Sequence, residues 1–394
     1  MALRKIKSKK KKTSKNATVM VFNPFAEEQF IPTSAIGFDV LLSENVAGIE
    51  VGSLVELNGD SGVGKSTSMF YMACNQARNS GVKVVYVDAE MGIKRSHIRL
   101  NNAFELFHPD TEELQEKYSD KLEEFLEHAF GDGYSMVVLQ LNSFTGLDSV
   151  TDAVYKWTEN HDEALVLVID SLAFLNTTAE LDAEQADKVQ IGQKARAWRR
   201  WVVTNKINLT AHGITTWFIN HLTTQGIGGN TFLTHEKPKD ESAGGKISKY
   251  GPDVRILIKE GSKIKDENDN VIGNEAKVST KKNRNNISHR QIIIPLMKGA
   301  GPDNARFLKE VLAETGVVKF SAWTTFDFPF LEEPEKVNGA EKALTWIREH
   351  EEQITEYLKS ENLLSLVDLG EVVAADDSDD SDTAPELPDD EDED

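Results

Sequence analysis

Cysteine is almost missing: the 394 residues contain one, Cys74. A single thiol cannot build a disulfide framework or a cysteine-ligated zinc site, and it fits a reducing compartment. Long apolar runs are missing too. No stretch approaches the roughly 18 residues of a membrane-spanning helix, and the N-terminus lacks the apolar core of a secretory signal. The expectation is a cytoplasmic protein with no membrane partner. Basic charge is in deficit, with 44 Lys and Arg against 65 Asp and Glu and a formal net charge of −21. It is also unevenly placed. Residues 4–15 carry eight Lys or Arg and no acid, whereas residues 376–394 carry twelve Asp or Glu and no base. Taken alone, this balance disfavours a nucleic-acid binder. Both ends read as solvated tails, and the 39% of hydrophobic residues elsewhere suffices for a sizeable core.

From about Gly52 the pattern becomes regular. Short β-branched runs at 54–57, 84–88, 137–141, 165–170, 217–220 and 254–258 alternate with helical stretches, among them 147–157 and a long pattern over 182–206. Strands alternating with helices predict an α/β fold with a mostly parallel central sheet covered on both faces. Residues 104–133 interrupt it with an acidic, helix-prone insertion, expected as a surface excursion. Beyond 254 the strands crowd together at 276–280 and 291–295, with turn residues between them, which predicts antiparallel additions to the sheet. A smaller helical or mixed segment follows over 301–367. The apolar run 19–25 is too isolated to form a core strand by itself.

Three motifs carry chemistry. Gly59-Asp60-Ser61-Gly62-Val63-Gly64-Lys65-Ser66 matches the spacing G-x-x-x-x-G-K-[ST], between an apolar strand and a helix opening at Thr67. Glycines let successive backbone N–H groups turn inward, and the helix adds its positive end, giving a concave anion site. Lys65 would reach the β- and γ-phosphates of ATP, and the Ser66 hydroxyl would ligate Mg²⁺. An apolar strand ends at Asp170, where a carboxylate belongs that helps to hold that ion. A third strand runs into Asp88-Ala89-Glu90, and a carboxylate at Glu90 can activate the water that attacks the γ-phosphate. The plainer readings are a glycine-rich turn, a strand-end cap and two loop carboxylates.

In this order the motifs resemble the RecA recombinase family, most closely its phage UvsX-like branch. The resemblance runs from about Thr33 to Leu312. It implies a RecA-type P-loop ATPase core at 33–300, behind a basic arm and protomer-contact segment at 1–32. A small C-terminal segment at 301–373 and an acidic disordered tail at 374–394 complete the expected organisation. Glu90 takes the family's catalytic carboxylate position. The stretch 215–221 resembles the phage-type strand ending in Asn-His, which puts His221 where the γ-phosphate is sensed. Lys282 and Arg284 fall where the family places basic residues that reach a neighbouring protomer's ATP. His97 matches a position that often stacks a ring on adenine. The insertion at 104–133 has no obvious counterpart in bacterial RecA, and the basic arm at 4–15 is unlike the family's usual N-terminal helix.

Residues 221–253 form a long stretch rich in Gly, Thr, Asn and Lys without apolar periodicity. Such a stretch inside a domain is either functional or simply mobile. By resemblance it holds the second DNA-binding loop. Gly226, Gly228, Gly229, Gly244, Gly245 and Lys246 would supply backbone approach and charge, Asn230 and Thr231 neutral donors, and Phe232 an apolar wedge between bases. The first loop would span 176–190, although it is acidic. Local phosphate contacts rather than the whole-chain charge set DNA affinity, which answers the charge objection.

The resemblance implies an ATP- and Mg²⁺-dependent DNA recombinase that forms helical homopolymers on single-stranded DNA and pairs it with double-stranded DNA. Single-strand-binding and loader proteins would be its partners, in the host cytoplasm if the chain is phage-encoded. A hexameric helicase motor, a nucleotide-gated structural filament or recombination mediator, and a small-molecule P-loop kinase are the rivals. The acidic tail either solubilises the chain or competes with DNA for its basic loops. The basic arm reads as a targeting signal or, following the resemblance, as a DNA or partner contact.

Overall fold

A computed structural model describes residues 27–43, 46–182, 192–224, 240–242, 246–286, 288–367 and 370–371. The basic arm, the run at 19–25 and the acidic tail lie outside these residues. The strands that matter for the site are β1 (Leu54–Gly59), β2 (Lys83–Asp88), β3 (Met136–Leu139), β4 (Leu165–Asp170), β5 (Ile214–Thr224), β6 (Val254–Lys259), β7 (Val271–Asn283), β8 (Arg290–Met297) and β9 (Gly301–Pro302). They lie side by side in the order β9-β8-β7-β6-β1-β5-β4-β2-β3. The six strands from β6 to β3 run parallel, and β7, β8 and β9 extend the sheet antiparallel. The closely spaced strands beyond 254 are thus the expected additions.

Period-two alternation sends each strand's apolar residues to two faces. Val55, Leu57, Val84, Tyr86, Val166, Val168, Trp217 and Ile219 pack on one side with Met69, Phe70 and Ala73 of helix α1 (Lys65–Asn79). Leu54, Val85, Val87, Leu165, Leu167, Ile169 and Phe218 pack on the other. There they meet Val154 and Trp157 of α2 (Phe144–Asn160) and Trp198 and Trp201 of α3 (Gln193–Ala211). Burial on both faces explains why these strands read as continuous apolar runs. Phe307, Leu308, Val311 and Leu312 of helix Asn304–Glu314 join the first face, so the segment after β9 packs on the same core.

Two expectations need correction. The insertion is not a surface excursion throughout. Its second helix, Leu122–Ala129, buries Phe125, Leu126 and Ala129, and Phe130 stacks edge-on to Trp157 with ring centroids 5.3 Å apart. The apolar residues recur at i, i+3, i+4, i+7 and i+8, a helical stripe hidden among the acids. The long helical pattern does not start at Asp182. A short helix Thr178–Leu181 ends there in extended backbone, and α3 begins at Gln193 behind Gly192, whose φ of 89° suits glycine.

Candidate nucleotide site

Strand register brings the motifs to one edge. Gly59 at the end of β1 stands opposite His221 on β5, and Asp88 of β2 stands opposite Asp170 of β4. The loop after Gly59, the Asp88–Glu90 turn, Asp170 and His221 therefore share the carboxyl end of the parallel strands, where ligands of open α/β sheets bind.

The loop has the geometry its glycines predict. Gly59, Gly62 and Gly64 have φ of 157°, 79° and 100°, and of the three only Gly62 would place a Cβ in open space. A Cβ at Gly59 would sit 2.4 Å from the Ile258 carbonyl oxygen, so β6 closes the loop's back. Asp60, Ser61 and Gly62 are exposed and Val63 is buried under them. Lys65 opens α1, and its Nζ donates to the Gly59 and Asp60 carbonyls at 2.9 and 2.7 Å. Burial lowers the pKa of this ammonium, while Glu90, Asp170 and Asp60 oppose the shift.

Ser66 and Asp170 meet beside the loop. Ser66 Oγ donates to Asp170 Oδ1 at 3.1 Å, and Tyr86 Oη donates to Oδ2 at 2.7 Å. Burial raises Asp170 to about 6, against the stabilising Tyr86 bond. Two hard oxygen ligands side by side fit a small divalent cation such as Mg²⁺. Among the described residues no group of three His, Cys, Asp or Glu could hold a metal unaided.

Glu90 is held from two sides. Ser171 Oγ donates to its Oε1 at 2.5 Å, and His221 Nε2 lies 3.1 Å from the same oxygen. The His221 hydrogen bond is the main reason that Glu90's pKa lies below its ordinary value. His221 joins the site through its backbone as well, its N–H donating to Asn220 Oδ1 at 3.0 Å.

Other predicted residues lie apart. His97 is half-buried on helix Arg95–Leu100, its ring centroid 6.4 Å from that of Phe70 and its Nδ1 accepting the Lys94 N–H at 3.1 Å. Lys282 and Arg284 sit at the opposite end of the sheet from the loop of their own chain. Asn283 pairs with Val254, and Val254 with Val55, four residues before Gly59. Lys282 Nζ donates to the Tyr250 and Pro252 carbonyls at 3.0 and 2.6 Å, and Arg284 pairs with Asp253 at 3.0 Å. Gly226, Gly228, Gly229, Asn230, Thr231, Phe232, Gly244 and Gly245 lie outside the described residues. Lys246 begins the short helix Lys246–Tyr250. Of the first loop, Thr177 and Glu180 form a reciprocal cap.

Sequence reasoning missed Tyr86 and Ser171, the groups that orient the two carboxylates. A hydroxyl-bearing ring inside an apolar strand was the available signal, because buried Tyr hydroxyls need partners. It also missed Glu56, a carboxylate in the middle of fully buried β1, where charge is rare unless paired.

Residues 42–224 match a family model described as an AAA domain, and residues 155–303 match the RecA N-terminal domain. The protein RecA of Salinispora tropica is 28% identical over 337 residues, 85% of this chain and 83% of that protein. RecA of Mycobacterium avium is 27% identical over 351 residues, covering 89% and 86% of the two chains. RecA of Rhodospirillum centenum is 27% identical over 327 residues, covering 82% and 77%. With its parallel sheet, its strand-to-helix phosphate loop and these similarities, the chain is RecA-like, an α/β protein built on a RecA-type P-loop ATPase core.

Proposed function

We propose that this chain is a DNA-dependent ATPase of the phage UvsX-like branch, which polymerises on single-stranded DNA and promotes homologous pairing and strand exchange. The observation that carries the reading is the contact between Glu90 and His221. It ties the water-activating carboxylate to the end of β5, the strand that leads into residues 225–247. Nucleotide state at one edge of the sheet can thereby bias the segment expected to hold DNA, a coupling through a two-state element.

In this mechanism the amides of Gly59 to Thr67 cradle the phosphates of ATP, and Lys65 turns its ammonium from the loop carbonyls toward them. Ser66 and Asp170 would hold Mg²⁺, which supplies positive charge to the phosphoryl oxygens when bound. Among the described residues Glu90 uses only Oε1 within the protein, so Oε2 is available to take a proton from water. The water oxygen bonds to the γ-phosphorus as the bond to the β–γ bridging oxygen breaks, and ADP leaves with phosphate. His221 and Ser171 hold Glu90 ionised for that step.

Because Lys282 and Arg284 stand far from their own loop, they serve the nucleotide of a neighbouring protomer in a homopolymer. His97 lies on the segment after Glu90, where it would face the base. Residues 33–300 form the ATPase core, with protomer contacts before it, a small segment over 301–373 and the acidic tail beyond. The protein works in the cytoplasm of the host, together with single-strand-binding and loader proteins. No helix among the described residues is long and apolar enough to cross a membrane.

Electron microscopy with a non-hydrolysable ATP analogue tests the reading. Helical filaments that lengthen on single-stranded DNA, together with strand exchange by the same preparation, support it. Closed hexamers would assign the core to a helicase motor instead.

A further inference from the structure

β1 lies between β5 and β6 and is buried along its whole length, yet it carries Glu56, whose side chain has no solvent exposure. A buried carboxylate is tolerated only while it is fully hydrogen-bonded or paired. Glu56 divides its two oxygens between the neighbouring strands. Oε1 accepts from Asn220 Nδ2 on β5 at 2.8 Å, and Oε2 accepts from Arg255 Nε on β6 at 2.6 Å. Asn220 is the residue whose Oδ1 takes the His221 N–H, so its amide orientation sets the backbone of the group that meets Glu90. Arg255, on the other side, is the register partner of Lys282 across β6 and β7.

Resting on the reading in which Lys282 and Arg284 serve the neighbour's nucleotide, we propose that Glu56 is a positioning residue that couples the chain's two half-sites. One half-site is His221 with Glu90, facing the chain's own nucleotide. The other is Lys282 with Arg284, facing the next protomer's. The physical basis is that neither donor can move without exposing a buried negative charge to an unmet hydrogen bond. In a close-packed sheet of low dielectric, that cost transmits displacement at Asn220 to Arg255. Glu56 also neutralises Arg255, which otherwise adds to the cations around Lys282. Those facing Lys282 are Arg284 from its own chain segment, Lys206 from α3 and Arg255 from β6, with Asp253 the opposing acid. Burial first, and these like charges next, bring the Lys282 ammonium down to about 8.

The test is Glu56→Gln, which keeps the shape and the acceptor for Asn220 but removes the charge that balances Arg255. DNA-stimulated hydrolysis is followed against ATP concentration over a series of pH values, with thermal melting as the control for folding. The unsubstituted protein is expected to respond cooperatively to ATP and to lose turnover as pH rises through the Lys282 range. In the variant the Hill coefficient should fall toward one, and the alkaline limb should move down by ~0.5 pH unit or more. Half-saturation by ATP should change less than about twofold, and Lys282→Ala should add less in the variant background than alone. A merely structural Glu56 would lower the melting temperature and leave the Hill coefficient and pH limb in place, which overturns the proposal. Should Glu56→Gln not fold, Arg255→Lys takes its place, retaining the cation while losing the guanidinium geometry, and unchanged cooperativity there is equally fatal. If the unsubstituted protein responds without cooperativity, or if Arg284→Ala leaves turnover intact, the shared-site reading fails and takes the coupling with it.

Discussion

Lys65 and Glu90 stand on the same edge of the sheet but are held in different ways, and their substitutions should separate. Lys65 is buried against the Gly59 and Asp60 carbonyls of the loop, so Lys65→Ala removes the charge proposed to meet phosphate. Nucleotide affinity should collapse. Glu90 is fixed instead by hydrogen bonds with Ser171 and His221. Glu90→Gln should therefore bind ATP about as tightly as the parent while turnover falls ~10²–10⁴-fold, the usual worth of a positioned general base. Equilibrium binding and single-turnover hydrolysis on both variants check the division. Equal losses of affinity would reject it.

At the scale of elements, the second helix of the insertion should behave as core. Leu126 is fully buried in the cluster around Trp157, and Leu126→Ala should cost ~2–5 kcal/mol, read by denaturant unfolding. A surface excursion would tolerate the change within about 0.5 kcal/mol. Helix Ile36–Leu42 makes a second case. All seven of its residues are buried, Asp39 among them, and Asp39 Oδ1 accepts the Thr33 N–H at 2.8 Å. Burial raises Asp39 from 3.8 to about 7, so the folded state prefers its protonated form. The stability this preference contributes is full below 3.8, declines as pH rises and has gone above about 7. Asp39→Asn keeps an acceptor for Thr33 without a titrating group. Its melting temperature should change less between pH 5 and pH 8, roughly the window of that decline, than the parent's. Parallel melting curves for the two proteins would refute the assignment.

The whole molecule raises the question of how protomers share work. Lys282 and Arg284 lie at the end of the sheet away from their own phosphate loop. A filament would bring that end of one protomer to the nucleotide of the next. Arg284→Ala should lose DNA-stimulated turnover while still binding nucleotide, and Glu90→Gln should do likewise for a different reason. Mixed together, they form interfaces in which an intact Glu90 from one meets an intact Arg284 from the other. The mixture should therefore hydrolyse ATP faster than either variant alone, measured at constant total protein with co-assembly verified by light scattering. Inactive mixtures of co-assembled variants would show that the site is not shared.

The sequence alone determined the phosphate loop, the strands that carry Asp170 and Glu90, and the alternation that builds a parallel sheet. These features are local: a glycine spacing fixes a backbone turn, and an apolar run of strand length buried on both faces needs no distant partner to be recognised. It also contained the stripe of Leu122, Phe125, Leu126 and Ala129, which the surrounding acids obscured. Only the tertiary structure decided which strands neighbour β1, and with that the contacts of Glu56 with both Asn220 and Arg255. The same holds for Glu90, which meets Ser171 and His221 from segments far along the chain, and for Asp170 under the Tyr86 hydroxyl. It also decided that Lys282 and Arg284 face away from their own loop. The reason is register. Pairing between distant strands sets which side chains stand level with one another, and no local pattern of residues encodes that alignment.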